Sequence, residues 1–241
     1  MSNLNHKPKG KSVNHEKRYD EEHTTLMDDD YEIWTKRRVN WDEVADEYLD
    51  DEDRLNLRRV CGEADGDSVL APAADLAAIW SDEEERVAVA RSFWKVLELR
   101  NGDQLQYILL VLSSLLQGDV ERGRVFLEME GVMDSFVRVW ARDDISCFCR
   151  GKAAICGALI LRWSCYSERD LSAEHKSLCG FILQCLREWK EDQLLSPLVA
   201  LKGVLSNGQF EAVFLREGGI EKLSHILLEN EGHRQRCSLS W

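Results

Sequence analysis

Apolar residues recur every three or four positions along most of this chain, and that spacing, set by the 3.6-residue turn, predicts helix after helix. From Ser81 onward, Val87, Ala90, Trp94 and Leu97 mark one face of a long helix. Ser81 and Glu84 read as its S-x-x-E capping box, with an end expected near Asn101 and Gly102. The next helix starts at Asp103, sets Leu105, Ile108, Leu109, Leu112 and Leu116 on one face, and stops at Gly118. Leu178, Phe181, Ile182, Cys185, Leu186 and Trp189 follow the same rule. Two shorter helices are expected over 41–49 and 51–60, with Val44, Tyr48, Leu55 and Val60 as a modest apolar stripe, followed by a loop of small and acidic residues over 61–71. Residues 1–30 hold too few apolar side chains to offset the entropy of ordering and are expected to be a disordered tail. No alternating strand pattern appears, and the three prolines, Pro8, Pro72 and Pro197, leave long helices room to form.

The pattern also repeats. Phe126-Leu127 followed by Gly131-Val132 is echoed by Phe214-Leu215 followed by Gly219-Ile220, at an offset of 88 residues (214 − 126). Two units of about 44 residues fit that offset, which is the length of armadillo or HEAT repeats. Asp103-Gln104-Leu105 opens the first copy, Asp192-Gln193-Leu194 opens the second, and a middle unit runs over about 147–190. The stretch Phe214-Leu215-Arg216-Glu217-Gly218-Gly219-Ile220-Glu221-Lys222-Leu223 resembles the armadillo consensus, in which paired glycines allow a sharp turn between helices. The expectation is an all-α, armadillo/HEAT-like right-handed α-solenoid over 31–241 behind a tail over 1–30. Leu109, Leu112, Phe126, Leu159, Phe181, Ile182, Leu198, Leu223 and Leu227 are its expected core, and the helix over 194–205 supplies an inner face.

A formal net charge of −13 repels phosphate backbones and anionic membranes, so basic or neutral protein partners are expected and nucleic acid is not. No apolar run reaches the ~20 residues of a membrane span, and Met1 to Lys17 is polar, unlike a signal peptide. Eight cysteines, among them Cys156, Cys179 and Cys185 inside apolar runs, read as reduced core thiols of a cytosolic protein. Cys147 and Cys149 have no second Cys or His pair at zinc-site spacing, so no metal is expected. His6, His15, His23, His175, His225 and His233 are expected on solvated surface, and the acidic runs 28–30, 50–53 and 82–85 at helix starts or on solvated faces. No phosphate-binding loop, G-x-G-x-x-G, G-x-S-x-G or H-E-x-x-H occurs, so neither cofactor nor catalysis, ATP hydrolysis included, is expected. Lys36-Arg37-Arg38 just before Asn40 and Trp41 is a basic cluster able to grip an acidic partner helix.

Three stretches, taken in order, resemble the regulatory H subunit of the vacuolar proton-pumping ATPase (V-ATPase). Arg38-Val39-Asn40-Trp41 followed by Asp51-Glu52-Asp53 is similar to that family's N-terminal "VNW" helix and the helix start after it. Gln106-Tyr107-Ile108-Leu109, continuing through Leu115-Leu116-Gln117 to Arg122 and Phe126, resembles its "QYIL…LQ…R" helix pair. Residues 214–228 resemble an armadillo unit of the same family. The resemblance implies a regulatory, non-catalytic component on the cytosolic face of vacuolar and other endomembranes, docked on peripheral stalk subunits E and G and needed for ATP-driven proton transport and acidification. Lys36, Arg37, Arg38, Asn40 and Trp41 are then partner-binding residues. The family continues into a C-terminal domain that silences the detached ATPase sector, so a chain stopping at Trp241 is expected to bind the stalk without silencing. The competing expectation is a general armadillo scaffold. Against nuclear-import cargo binding, neither Trp163 nor Trp189 is followed by Asn four residues on, as importin-type grooves require.

Overall fold

The helix starts are written in local side chains. Asp50 and Asp53 cap each other's backbone, Asp53 N–H donating to Asp50 Oδ1 at 2.9 Å and Asp50 N–H to Asp53 Oδ2 at 3.2 Å, which opens α1 (Asp51–Cys61). Asp82 accepts from Glu85 N–H at 2.9 Å and opens α2 (Glu83–Val96). The cap therefore sits one residue beyond the expected Ser81–Glu84 pair, because residues 79–81 are themselves helical and the chain breaks at Asp82. The remaining helices are α3 (Gly102–Gly118), α4 (Val120–Glu128), α5 (Val132–Ala141), α6 (Cys147–Leu161), α7 (Ser172–Glu188), α8 (Leu195–Val204) and α9 (Gly208–Arg216). A 3-10 turn, Ser164–Tyr166, lies between α6 and α7, and residues 219–226 are again helical.

This computed structural model describes residues 49–61, 79–99, 102–118, 120–189, 193–226 and 228, which belong to one unit, Val39–Trp241. The fold is all-α, with no strand among the described residues. No described helix is long and apolar enough to cross a membrane. The expected tail over 1–30, most of the expected helix over 41–49 and all but Cys61 of the expected loop over 61–71 lie outside the described residues.

Several helices pack on a partner some 41–47 residues away in sequence. A Cβ on Gly151 of α6 would stand 2.6 Å from Ser196 Cβ of α8, and one on Gly203 of α8 would stand 3.9 Å from Ala158 Cβ of α6. Both pairs are 45 residues apart (196 − 151 and 203 − 158), so the two helices run parallel in constant register. α3 lies on the other flank of α6, where Gly102 faces Ile145 and Cys156 Sγ donates to Leu109 O at 3.5 Å. At a similar spacing, long side chains tie α2 and the residues after it to α5 and its C-terminal end, Trp94 Nε1 donating to Ser135 Oγ at 2.8 Å and Arg142 Nη1 to Leu99 O at 2.7 Å. Trp140 of α5 stacks on Phe181 of α7 at 5.9 Å. The exception is α1, which runs antiparallel to α2: Asp53 meets Lys95 and Ser92, Asn56 meets Ser92, and Arg59 meets Glu85.

The layer α3–α6–α8 is covered on one side by α4, α5 and α7. Its core is aliphatic and aromatic, with Leu105, Ile108, Leu109, Leu112, Phe126, Phe136, Ile160, Ile182 and Phe210 all removed from solvent. Each such side chain contributes about 1.5–3 kcal/mol of burial. Two short turns join helix pairs through a left-handed glycine, Gly131 at φ 85° and Gly218 at φ 73°. A side chain would be strained at either position. The two turns are thus 87 residues apart (218 − 131), one fewer than the phenylalanines before them, since the first stretch carries an extra residue before its glycine.

Several core expectations need correction. Leu198 is 37% exposed, and Leu159 and Leu223 are only half-buried; Leu227 lies outside the described residues. Leu55 is 57% exposed because the buried face of α1 is Asp53, Asn56, Leu57 and Val60, an i, i+3, i+4, i+7 set that leaves Leu55 outside.

Candidate functional site

The basic cluster Lys36, Arg37 and Arg38, with Asn40 and Trp41, lies outside the described residues. The Gln106-Tyr107-Ile108-Leu109 motif opens α3: Ile108 and Leu109 are core, whereas Gln106 and Tyr107 are half-buried at its edge. Arg122 is tied into the fold, donating to Leu115 O at 3.0 Å with its guanidinium 5.8 Å from the Trp80 ring.

His175 overturns the surface expectation. It is fully buried, with Nε2 2.7 Å from Ser164 Oγ, and Ser164 in turn accepts from Asn207 Nδ2 at 2.8 Å. Burial alone pushes the His175 pKa down. Asn207 also donates to Leu161 O and Arg162 O at 3.2 and 3.3 Å, while its Oδ1 caps α9 by accepting from Gln209 and Phe210 N–H. A serine–histidine pair resembles a nucleophile and its base, yet Ser164 is buried and its partners are all main chain or core side chains. The arrangement is a polar knot joining the end of α6, the start of α9 and the face of α7. His225, by contrast, is exposed.

The thiols are quiet. Burial raises Cys179 to about 11 and Cys185 to about 12, and it raises Cys156 further still, so all three are protonated at neutral pH. Cys149 is buried, Cys147 half-buried and Cys165 exposed. Among the described residues no group of three or more His, Cys, Asp or Glu converges as metal ligands would.

Two surfaces remain. A shallow cleft of about 280 Å³ lies between α4 and the turn after α6, lined by Arg124, Glu128, Trp163, Tyr166, Glu168 and Arg169. Its charges are mixed, and Arg169 is already engaged with Leu127 O and Met129 O at 2.9 and 3.3 Å. The second surface is the uncovered side of the α3–α6–α8 layer, the side that no described helix covers. On α8 it presents Leu195, Leu198 and Lys202, at i, i+3 and i+7; on α6, Phe148, Lys152 and Leu159, with Arg162 just beyond; on α3, Tyr107, Ser114 and Gln117. Lys152 is only 8% exposed and lies over the Phe148 ring at 5.2 Å. Sequence periodicity misses this surface because α8 is apolar on nearly every side, which assigns all of its leucines to the core.

No protein-family model matches this chain, and neither does any curated protein or solved structure.

Proposed function

We propose that this chain is a non-catalytic scaffold whose helical units stack as an armadillo or HEAT-like right-handed solenoid and hold protein partners. The observation that carries the reading is the constant 45-residue register between α6 and α8, read at Gly151–Ser196 and again at Ala158–Gly203. Units of equal length packing only on their sequence neighbours are what a solenoid requires. The flanking ties support the same reading, since Trp94–Ser135, Cys156–Leu109 and Asn207–Leu161 span 41, 47 and 46 residues. The grouping would be α4–α5–α6, then the 3-10 turn with α7 and α8, then α9 with residues 219–226.

More specifically, we propose a non-catalytic regulatory component of the vacuolar proton-pumping ATPase, docking on stalk subunits E and G. This rests on the likeness of Gln106-Tyr107-Ile108-Leu109 and Arg38-Val39-Asn40-Trp41 to that family. The test is affinity capture of the tagged chain from cell lysate. Recovery of E and G, lost on substitution of Asn40 and Trp41, supports the pump reading; recovery of a defined set of unrelated proteins leaves the scaffold alone standing. ATP turnover abolished by a point substitution in this chain overturns both.

A further inference from the structure

The chain is strongly acidic, yet its most closely packed helices are not. Together α3, α6 and α8 hold one acidic residue, Asp103, at the very start of α3, against Arg150, Lys152 and Lys202. Arg150 turns toward the covered side of the layer, donating to Trp140 O at 2.9 Å and stacking on Phe181. Lys152 is nearly buried over the Phe148 ring, so Lys202 and Arg162, the latter over the Trp163 ring at 5.1 Å, are the exposed cations at the uncovered side. Between them stand Phe148 and Leu159 on α6 and Leu195 and Leu198 on α8, the last two 47% and 37% exposed.

From this surface we propose that the uncovered face of the α3–α6–α8 layer docks an acidic segment of a protein partner carrying apolar side chains at helical spacing. The inference rests on the scaffold reading and names the chemistry of what the scaffold holds. Charge complementarity selects the occupant: a net charge of −13 disfavours any polyanion at long range, while a local face on which the described residues place no carboxylate accepts a short acidic peptide whose own charges would be repelled elsewhere. Nucleic acid and anionic membrane suit it less, because two exposed cations interleaved with leucine and phenylalanine are too sparse to follow a phosphate array. The leucines supply contact area and Lys202 and Arg162 fix orientation. This is the groove mode in which one apolar face is laid against another.

The test uses the full chain and two labelled 15-residue peptides with identical leucine and phenylalanine positions, one with Glu and one with Lys at the polar positions, in fluorescence anisotropy at about 0.1 M salt. A single-stranded oligonucleotide is the third probe. The Glu peptide is expected to bind at least about tenfold tighter than either other probe, and Lys202→Glu or Arg162→Glu to weaken it about tenfold. Lys176→Glu on the exposed side of α7 changes the net charge equally and is expected to leave binding unchanged. Equal or tighter binding of the Lys peptide or the oligonucleotide overturns the proposal. So does no binding of any probe, or equal loss with Lys176→Glu. If the captured partners persist with Lys202→Glu and Arg162→Glu, the scaffold stands and the docking face is refuted.

Discussion

Asn207 reaches back across 43 residues to Ser164, its Nδ2 2.8 Å from the serine Oγ, so one side chain caps α9 and ties it to the end of α6. Asn207→Ala removes the cap and leaves Leu161 O without its donor, and should cost about 2–4 kcal/mol in urea unfolding. Asn207→Ser keeps a cap but not the reach, and should cost about half as much. Equal stability of all three proteins would show that the tie contributes nothing.

His175 should make stability fall on mild acidification. Its folded pKa is depressed by burial, so the unfolded chain binds the proton more readily. The contribution is complete above the unfolded value of about 6.5 and is lost as pH falls below it toward the folded pKa, at up to about 1.4 kcal/mol per pH unit. Thermal midpoints between pH 7.5 and 5 should drop for the natural chain and drop less for His175→Gln. Carboxylates such as Glu98, where the Arg138 and Ser135 bonds outweigh opposing burial and hold the pKa low, act below this window.

Two helix glycines should respond oppositely to alanine. Gly180, on the exposed side of α7, has open space around a new Cβ, so Gly180→Ala should stabilise by about 0.5–1 kcal/mol through helix propensity. At Gly157 the new Cβ would stand 2.6 Å from the Trp140 ring. Overpacking of about 1–3 kcal/mol should there outweigh the same gain. Denaturant midpoints of the two variants decide it.

Leucines that look alike in sequence should separate on truncation. Leu109→Ala removes a side chain buried between α3 and α6 and should cost about 2–5 kcal/mol, whereas Leu198→Ala, on the uncovered face, should cost under about 1 kcal/mol. Comparable losses would mean that something covers α8 in solution.

What could be read from the chain alone was whatever depends on near neighbours. The i, i+3, i+4 pattern located α3 and α7, the acidic run ahead of Arg54 marked the start of α1, and the glycines after Phe126 and Phe214 marked turns, because helix periodicity and left-handed backbone are settled within a few residues. The separation of the two glycine turns was legible to within one residue for the same reason: both needed the same local backbone. Tertiary structure decided what lies across a distance of about 45 residues. α3, α6 and α8 are apolar on most sides, so periodicity has no polar face to read on them, and only the arrival of α4, α5 and α7 on one side determines which strip stays open. Leu198 fell in that strip and Leu109 did not. His175 looked like a surface histidine because its hydrogen-bond partner Ser164 lies 11 residues away (175 − 164) and Asn207, which donates to that serine, lies 32 residues away (207 − 175), so only folding brings together the groups that bury it.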